Sequence, residues 1–136
     1  MKIFIVEDNV HVLQVIRLML DGMGHEVAGT AASVRIALRD IAVTEPDLCI
    51  VDMALAENSS GLDLVLHLQH HYDMPSIIIT GDPFSIPEVN RATIPHLVKP
   101  FNRRGLGRLL NDLADDLTLR SSRAEVAAAT GRTASA

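Results

Sequence analysis

The stretch Pro46-Asp47-Leu48-Cys49-Ile50-Val51-Asp52 decides how the rest of the chain is read. A helix-breaking proline is followed by a short apolar run, and the run stops at an acid. Four consecutive apolar residues without polar alternation predict a strand buried on both faces, as in a parallel sheet covered by helices. Ile3-Phe4-Ile5-Val6 has the same character and ends at Glu7-Asp8. Ser76-Ile77-Ile78-Ile79 follows Pro75 and ends at Thr80-Gly81, and His96-Leu97-Val98 is a shorter version ending at Lys99-Pro100. His25 to Thr30 reads as a weaker strand nearer an edge.

Helical patterns lie between these runs. Val12, Leu13, Ile16, Met19, Leu20 and Met23 follow three-and-four spacing, and Gly24 is placed to stop that helix. Ser33 offers an N-cap to a helix carrying Val34, Ala37, Leu38 and Ile41. Gly61 opens a third helix, through about His71, after a small, polar loop from Met53 to Ser60. A last helix from about Asn102 to Leu119 aligns Leu106, Leu109, Leu110, Leu113 and Leu117 on one stripe. That stripe reads as core, with an oligomer face as the most it adds. Strands alternating with helices imply an α/β fold, a parallel sheet with helices on both faces and right-handed crossovers.

Composition sets outer bounds. The 136 residues leave room for one domain and a short tail. Hydrophobic residues make up 48% and aromatics only 3%, so the core must be aliphatic. A formal charge of −5 argues against broad affinity for nucleic acid, which rests on cationic neutralisation of phosphates. Cys49 is the single cysteine, which excludes an intrachain disulfide and reads as a packed thiol. No apolar stretch approaches the roughly 20 residues that span a bilayer, and acids arrive too early for a signal peptide, so a cytoplasmic protein without membrane contact is expected.

In open parallel sheets ligands bind beyond the carboxyl ends of the strands. Here those ends carry Glu7-Asp8, Asp52, Thr80 and Lys99. Three carboxylates in one pocket repel one another, and a hard divalent cation resolves the conflict. Magnesium, or manganese, suits an all-oxygen set that also meets a phosphate. An aspartate can accept a phosphoryl group as nucleophile, with the metal, a lysine and a hydroxyl balancing the phosphoryl charge.

With these elements in this order, residues 1–119 resemble the receiver domain of two-component response regulators. The resemblance rests on Glu7-Asp8 after strand one, Asp52 after strand three, Thr80 after strand four and Lys99-Pro100 after strand five. It implies a flavodoxin-like, doubly wound five-stranded sheet in the order 2-1-3-4-5. It also implies that Asp52 takes a phosphoryl group from a histidine kinase or phosphotransfer protein. Asp8 would bind Mg²⁺ directly or through water, Glu7 would assist, and the Ala54 carbonyl would complete the protein ligands. Thr80 would move to the phosphoryl group, Lys99 would pair with it, and the Lys99–Pro100 bond would be cis.

The pattern departs from the family between Thr80 and Lys99. This stretch is short and holds Pro83, Pro87 and Pro95, so the fourth helix must be abbreviated. Ser85-Ile86-Pro87-Glu88 reads as a capping box for a short helix ending near Ala92. His96 stands where the family places its switch aromatic, and is either that switch or a half-exposed edge-strand histidine. His67, His70 and His71 read as a solvated helix end in preference to a metal site. Residues 120–136 show no apolar periodicity and are expected to be a flexible tail or a frayed helical extension.

The expected protein is therefore a stand-alone, non-enzymatic phosphoacceptor, monomeric or weakly dimeric. It would act through an unidentified downstream protein, as a relay, or as a phosphate sink. A magnesium-dependent phosphatase of the haloacid-dehalogenase type is the main alternative. It needs a second aspartate two residues after the nucleophile, where this chain has Ala54. A flavin module of flavodoxin type would require a phosphate loop after strand one, where Glu7-Asp8 would repel the phosphate.

Overall fold

A computed structural model describes residues 1–56 and 59–130. The strands are β1 (Lys2–Val6), β2 (Glu26–Ala31), β3 (Leu48–Asp52), β4 (Ser76–Thr80) and β5 (His96–Val98). The helices are α1 (Val10–Gly22), α2 (Val34–Thr44), α3 (Gly61–Tyr72), α4 (Glu88–Arg91) and α5 (Arg103–Ala129). All strand pairs are parallel, and the sheet order is β2-β1-β3-β4-β5, as expected. The chain winds one way from β1 to β2 and the other way from β1 to β3, which opens a crevice beyond the carboxyl ends of β1 and β3.

The strands' period of two divides the core cleanly. Ile3, Ile5, Leu48, Ile50, Ile77 and Ile79 face Ile16 and Leu20 of α1 and Leu106 and Leu110 of α5. Phe4, Val6, Cys49, Val51 and Ile78 face the other way, onto Ala37 and Ile41 of α2 and Leu64, Val65 and Leu68 of α3. Every residue of β3 and β4 is buried, so neither strand alternates in sequence. Cys49 is part of this packing: its Sγ lies 3.3 Å from the Met74 sulfur, and burial pushes the thiol up to about 12.

Leu68 is fully buried on α3, whereas Val43 on α2 is 81% exposed. Leu68→Ala is expected to cost about 2–5 kcal/mol of unfolding free energy, by lost burial and a residual cavity. Val43→Ala should stay within about 0.5 kcal/mol of wild type, with both read from urea denaturation midpoints.

The helix ends follow local chemistry. Asn9 Oδ1 accepts the His11 and Val12 N–H groups at the start of α1, and Ser33, Ser60 and Asn102 cap α2, α3 and α5 in the same way. Gly24 follows α1 at φ +79, the left-handed conformation that suits glycine. The Lys99–Pro100 bond is cis.

Three expectations need correction. The second strand runs Glu26–Ala31, one residue later than the expected His25 to Thr30, because the Glu26 N–H pairs with the Met1 carbonyl at the start of β1. The capping box at Ser85-Ile86-Pro87-Glu88 does not form: Pro87 is the N-cap of α4, and no side chain caps that helix. The Ser85 hydroxyl is instead turned toward Thr80 and Asp82, at the end of a 3-10 turn over Pro83–Ser85. The last helix, expected to end near Leu119 and give way to a flexible tail or a frayed helical extension, continues to Ala129, about 40 Å in all. Alanine, arginine and glutamate have high helix propensity without any apolar period. Arg120 also ties the helix to Asp116 within α5 and to Asp73 at the end of α3. Residues 57–58 of the β3–α3 loop and 131–136 of the tail lie outside the described residues.

Candidate functional site

Each element of the site hangs from a strand end. Glu7 follows β1 directly, and its N–H bonds the Ala31 carbonyl, so the β1–β2 ladder carries on to it. Asp52 is the last residue of β3, paired in register with Ile79, which puts Thr80 just beyond it on the neighbouring strand. Lys99 follows β5, and its N–H bonds the Thr80 carbonyl at 2.8 Å. Five positions up to 92 residues apart in sequence thus meet at one sheet edge. Residues Glu7, Asp8, Asp52, Thr80 and Lys99 are all where the sequence reading places them.

The geometry is that of a crowded acidic pocket with one cation. Carboxylate oxygens from Glu7, Asp8 and Asp52 lie within 4.8 Å of one another, with Glu7 and Asp52 buried and Asp8 exposed. Lys99 Nζ donates to Asp52 Oδ2 at 3.0 Å and sits 4.0 Å from Glu7 Oε1. Asp52 Oδ1 accepts the Ala54 N–H at 3.1 Å. Burial pushes the Glu7 carboxyl up to about 8, aided by the Asp52 carboxylate beside it and only partly offset by Lys99. Glu7 Oε1 is also a buried oxygen without a hydrogen-bond partner. A single ammonium does not balance three carboxylates, and an orphaned oxygen among them fits a hard, oxygen-seeking cation.

The Thr80 hydroxyl is buried and engaged with its own loop. It donates to the Asp82 carbonyl at 2.9 Å, accepts the Asp82 N–H at 3.1 Å, and lies 3.1 Å from Ser85 Oγ. His96 is half-buried on β5, with Nδ1 3.0 Å from the Ile94 carbonyl. His67, His70 and His71 are exposed at the end of α3, where His67 and His71 stack at 4.3 Å between ring centres. Among the described residues, the group of three or more side chains close enough to hold a metal is Glu7, Asp8 and Asp52.

Two residues of the site escape a reading by residue type. Gly61 packs against the backbone of Asp52: a Cβ there would fall 2.0 Å from the Asp52 carbonyl oxygen. Its position directly after the N-cap Ser60 was the available signal, but helix starts tolerate many residues, so the contact was invisible. Ser85 looked like a helix cap, because its neighbours match a capping box.

A doubly wound parallel sheet with an aspartate, an acidic pair, a threonine and a lysine at its carboxyl edge defines a phosphoacceptor module of two-component signalling. The chain belongs to the response regulator receiver domain family, whose model matches residues 3–111. It is 30% identical over 112 residues to the phyllosphere-induced regulator PhyR of Methylorubrum extorquens, covering 81% of this chain and 42% of that protein. It is 34% identical over 131 residues to the response regulator protein PilR of Pseudomonas aeruginosa, covering 93% and 28%. The solution structure of the PhyR receiver domain of Erythrobacter litoralis superposes with a TM-score of 0.75 at 29% identity, covering 83% and 88%. The chain spans less than half the length of the curated relatives it matches. Among the described residues, no helix is long and apolar enough to cross a membrane.

Proposed function

We propose that Asp52 accepts a phosphoryl group from a histidine kinase or phosphotransfer protein, in a pocket where Glu7, Asp8 and Asp52, with the Ala54 carbonyl, hold Mg²⁺ or Mn²⁺. The observation that carries this reading is the buried Asp52 carboxylate at a strand end, bonded to Lys99 at 3.0 Å inside the acidic cluster. One Asp52 oxygen attacks phosphorus, the bond from phosphorus to the donor's nitrogen or oxygen breaks, and the donor keeps that bonding pair. Lys99 steadies the carboxylate before transfer and pairs with phosphoryl oxygen after it. Thr80, once freed from its loop, donates to a second phosphoryl oxygen. A divalent cation held by Glu7, Asp8 and Asp52 would supply further positive charge to offset that of the phosphoryl group.

The protein acts as a switch and not as a turnover enzyme. Ala54 offers only a methyl group where a haloacid-dehalogenase-type phosphatase needs a second acid. Output passes to a protein partner through the 3-10 turn, α4 and β5, which border Thr80 and Lys99. Incubation with acetyl phosphate and Mg²⁺, followed by intact-protein mass spectrometry, should add one phosphoryl group to the wild type and none to Asp52→Asn. Equal labelling of both proteins, or labelling that ignores removal of Mg²⁺ by EDTA, would overturn the reading.

A further inference from the structure

The hydrogen bonds around Thr80 account for every proton its hydroxyl has. That hydroxyl carries one hydrogen, which the Asp82 carbonyl takes at 2.9 Å. Its lone pairs face the Asp82 N–H at 3.1 Å and the Ser85 hydroxyl at 3.1 Å. The Ser85 hydroxyl has one hydrogen, shared between that Thr80 lone pair and the same Asp82 carbonyl, 2.6 Å away. Asp82 is fixed from the other side, since its Oδ1 accepts the Phe84 N–H at 2.9 Å. Ile86, next to Ser85, is 1% exposed and anchors the turn in the core. Thr80 cannot donate to a phosphoryl oxygen and keep this arrangement.

We infer that Ser85 is a positioning residue that latches Thr80 in the unphosphorylated state and so sets how readily the domain switches. The inference rests on the proposed role of Asp52. When Thr80 turns its hydroxyl to the phosphoryl group, it gives up Ser85 and the Asp82 carbonyl together. The 3-10 turn is then free to move as a unit. That turn carries Phe84, which is 77% exposed and lies 4.9 Å beneath the Arg91 guanidinium of α4. The latch therefore connects the pocket to a cation–π pair on the adjoining face, in which the exposed Phe84 ring packs on the half-buried Arg91. It also explains why Ser85 does not cap α4: its hydroxyl is already committed.

The contact opposes switching, so losing it should favour the phosphorylated arrangement. A neutral hydrogen bond of ordinary strength corresponds to about two- to tenfold in the equilibrium. The test is binding of beryllofluoride, a phosphoryl mimic, with Mg²⁺ to the full chain. Ser85→Ala is expected to tighten binding about two- to tenfold, Ser85→Thr to keep the wild-type affinity, and Ser85→Ala to have no effect in a Thr80→Val background. A merely structural role for Ser85 would weaken binding and lower Tm together, the opposite sign. Unchanged or weaker binding by Ser85→Ala, or the same gain without the Thr80 hydroxyl, would overturn the latch. Binding of beryllofluoride by wild type but not by Asp52→Asn separates these outcomes from failure of the Asp52 assignment. Absence of wild-type binding would overturn that assignment, and the latch with it.

Discussion

Gly61→Ala should destabilise the domain by about 3 kcal/mol or more and should cripple phosphoacceptance at the same time. The added methyl group would sit 2.0 Å from the Asp52 carbonyl oxygen and 2.9 Å from Met53 Cα, against an ordinary contact of 3.4–4 Å. Both obstacles are backbone, so no side chain can rotate to make room. Either α3 pulls away from β3, losing the packing of Leu64 and Leu68, or the end of β3 shifts and carries the Asp52 carboxylate with it. Gly61 also donates its N–H to the Met53 carbonyl at 2.9 Å, which pins the loop after Asp52. Urea denaturation and acetyl phosphate labelling read the two effects separately. Stability within about 1 kcal/mol of wild type would mean the close approach is not rigid.

The second large effect couples pH to metal. The Glu7 carboxyl has an ordinary value of 4.5 and is held at about 8 in the folded protein. Between those values the folded state keeps a proton that the unfolded state has lost. Stability in EDTA should therefore be greatest below about pH 4.5, so far as Glu7 is concerned, and fall as pH rises toward 8. One such proton contributes a slope of at most about 1.4 kcal/mol per pH unit. His25 acts with the opposite sign: burial and the N-terminal ammonium 3.0 Å away lower its value. Its contribution rises with pH up to the ordinary 6.5. Comparing wild type with Glu7→Gln isolates the Glu7 part. Mg²⁺ favours the charged carboxylate, so its stabilisation should grow from pH 4.5 to 8 in wild type and be smaller and nearly flat with pH in Glu7→Gln. Thermal unfolding across that range, with and without Mg²⁺, checks both signs. A wild-type profile in EDTA parallel to that of Glu7→Gln would contradict the account.

What could be read from the chain depended on whether a feature was local. The strands were legible because β3 and β4 are buried on both faces, which leaves Ile50-Val51 and Ile77-Ile78-Ile79 as unbroken apolar runs. Their ends then marked Asp52 and Thr80, and the last strand marked Lys99. Features that depend on tertiary competition were not legible. Ser85 has the sequence of a cap, yet a nearer acceptor at Asp82 and the Thr80 hydroxyl hold it. Gly61 has the sequence of an ordinary helix start, and only the folded chain shows the Asp52 carbonyl against it. How far α5 extends was hidden for a different reason. Residues after Leu119 hold helix by propensity and by Arg120 pairing, and neither leaves an apolar stripe to follow.

The most direct test of the account is to locate the phosphoryl group itself. Borohydride reduces an aspartyl phosphate to the corresponding alcohol, leaving a stable mark on the residue that was modified. After treatment with acetyl phosphate and Mg²⁺, peptide mass mapping should find that mark at Asp52 alone, and nowhere when EDTA replaces Mg²⁺. A mark on Glu7 or Asp8, or none in protein that is folded and supplied with Mg²⁺, would contradict it.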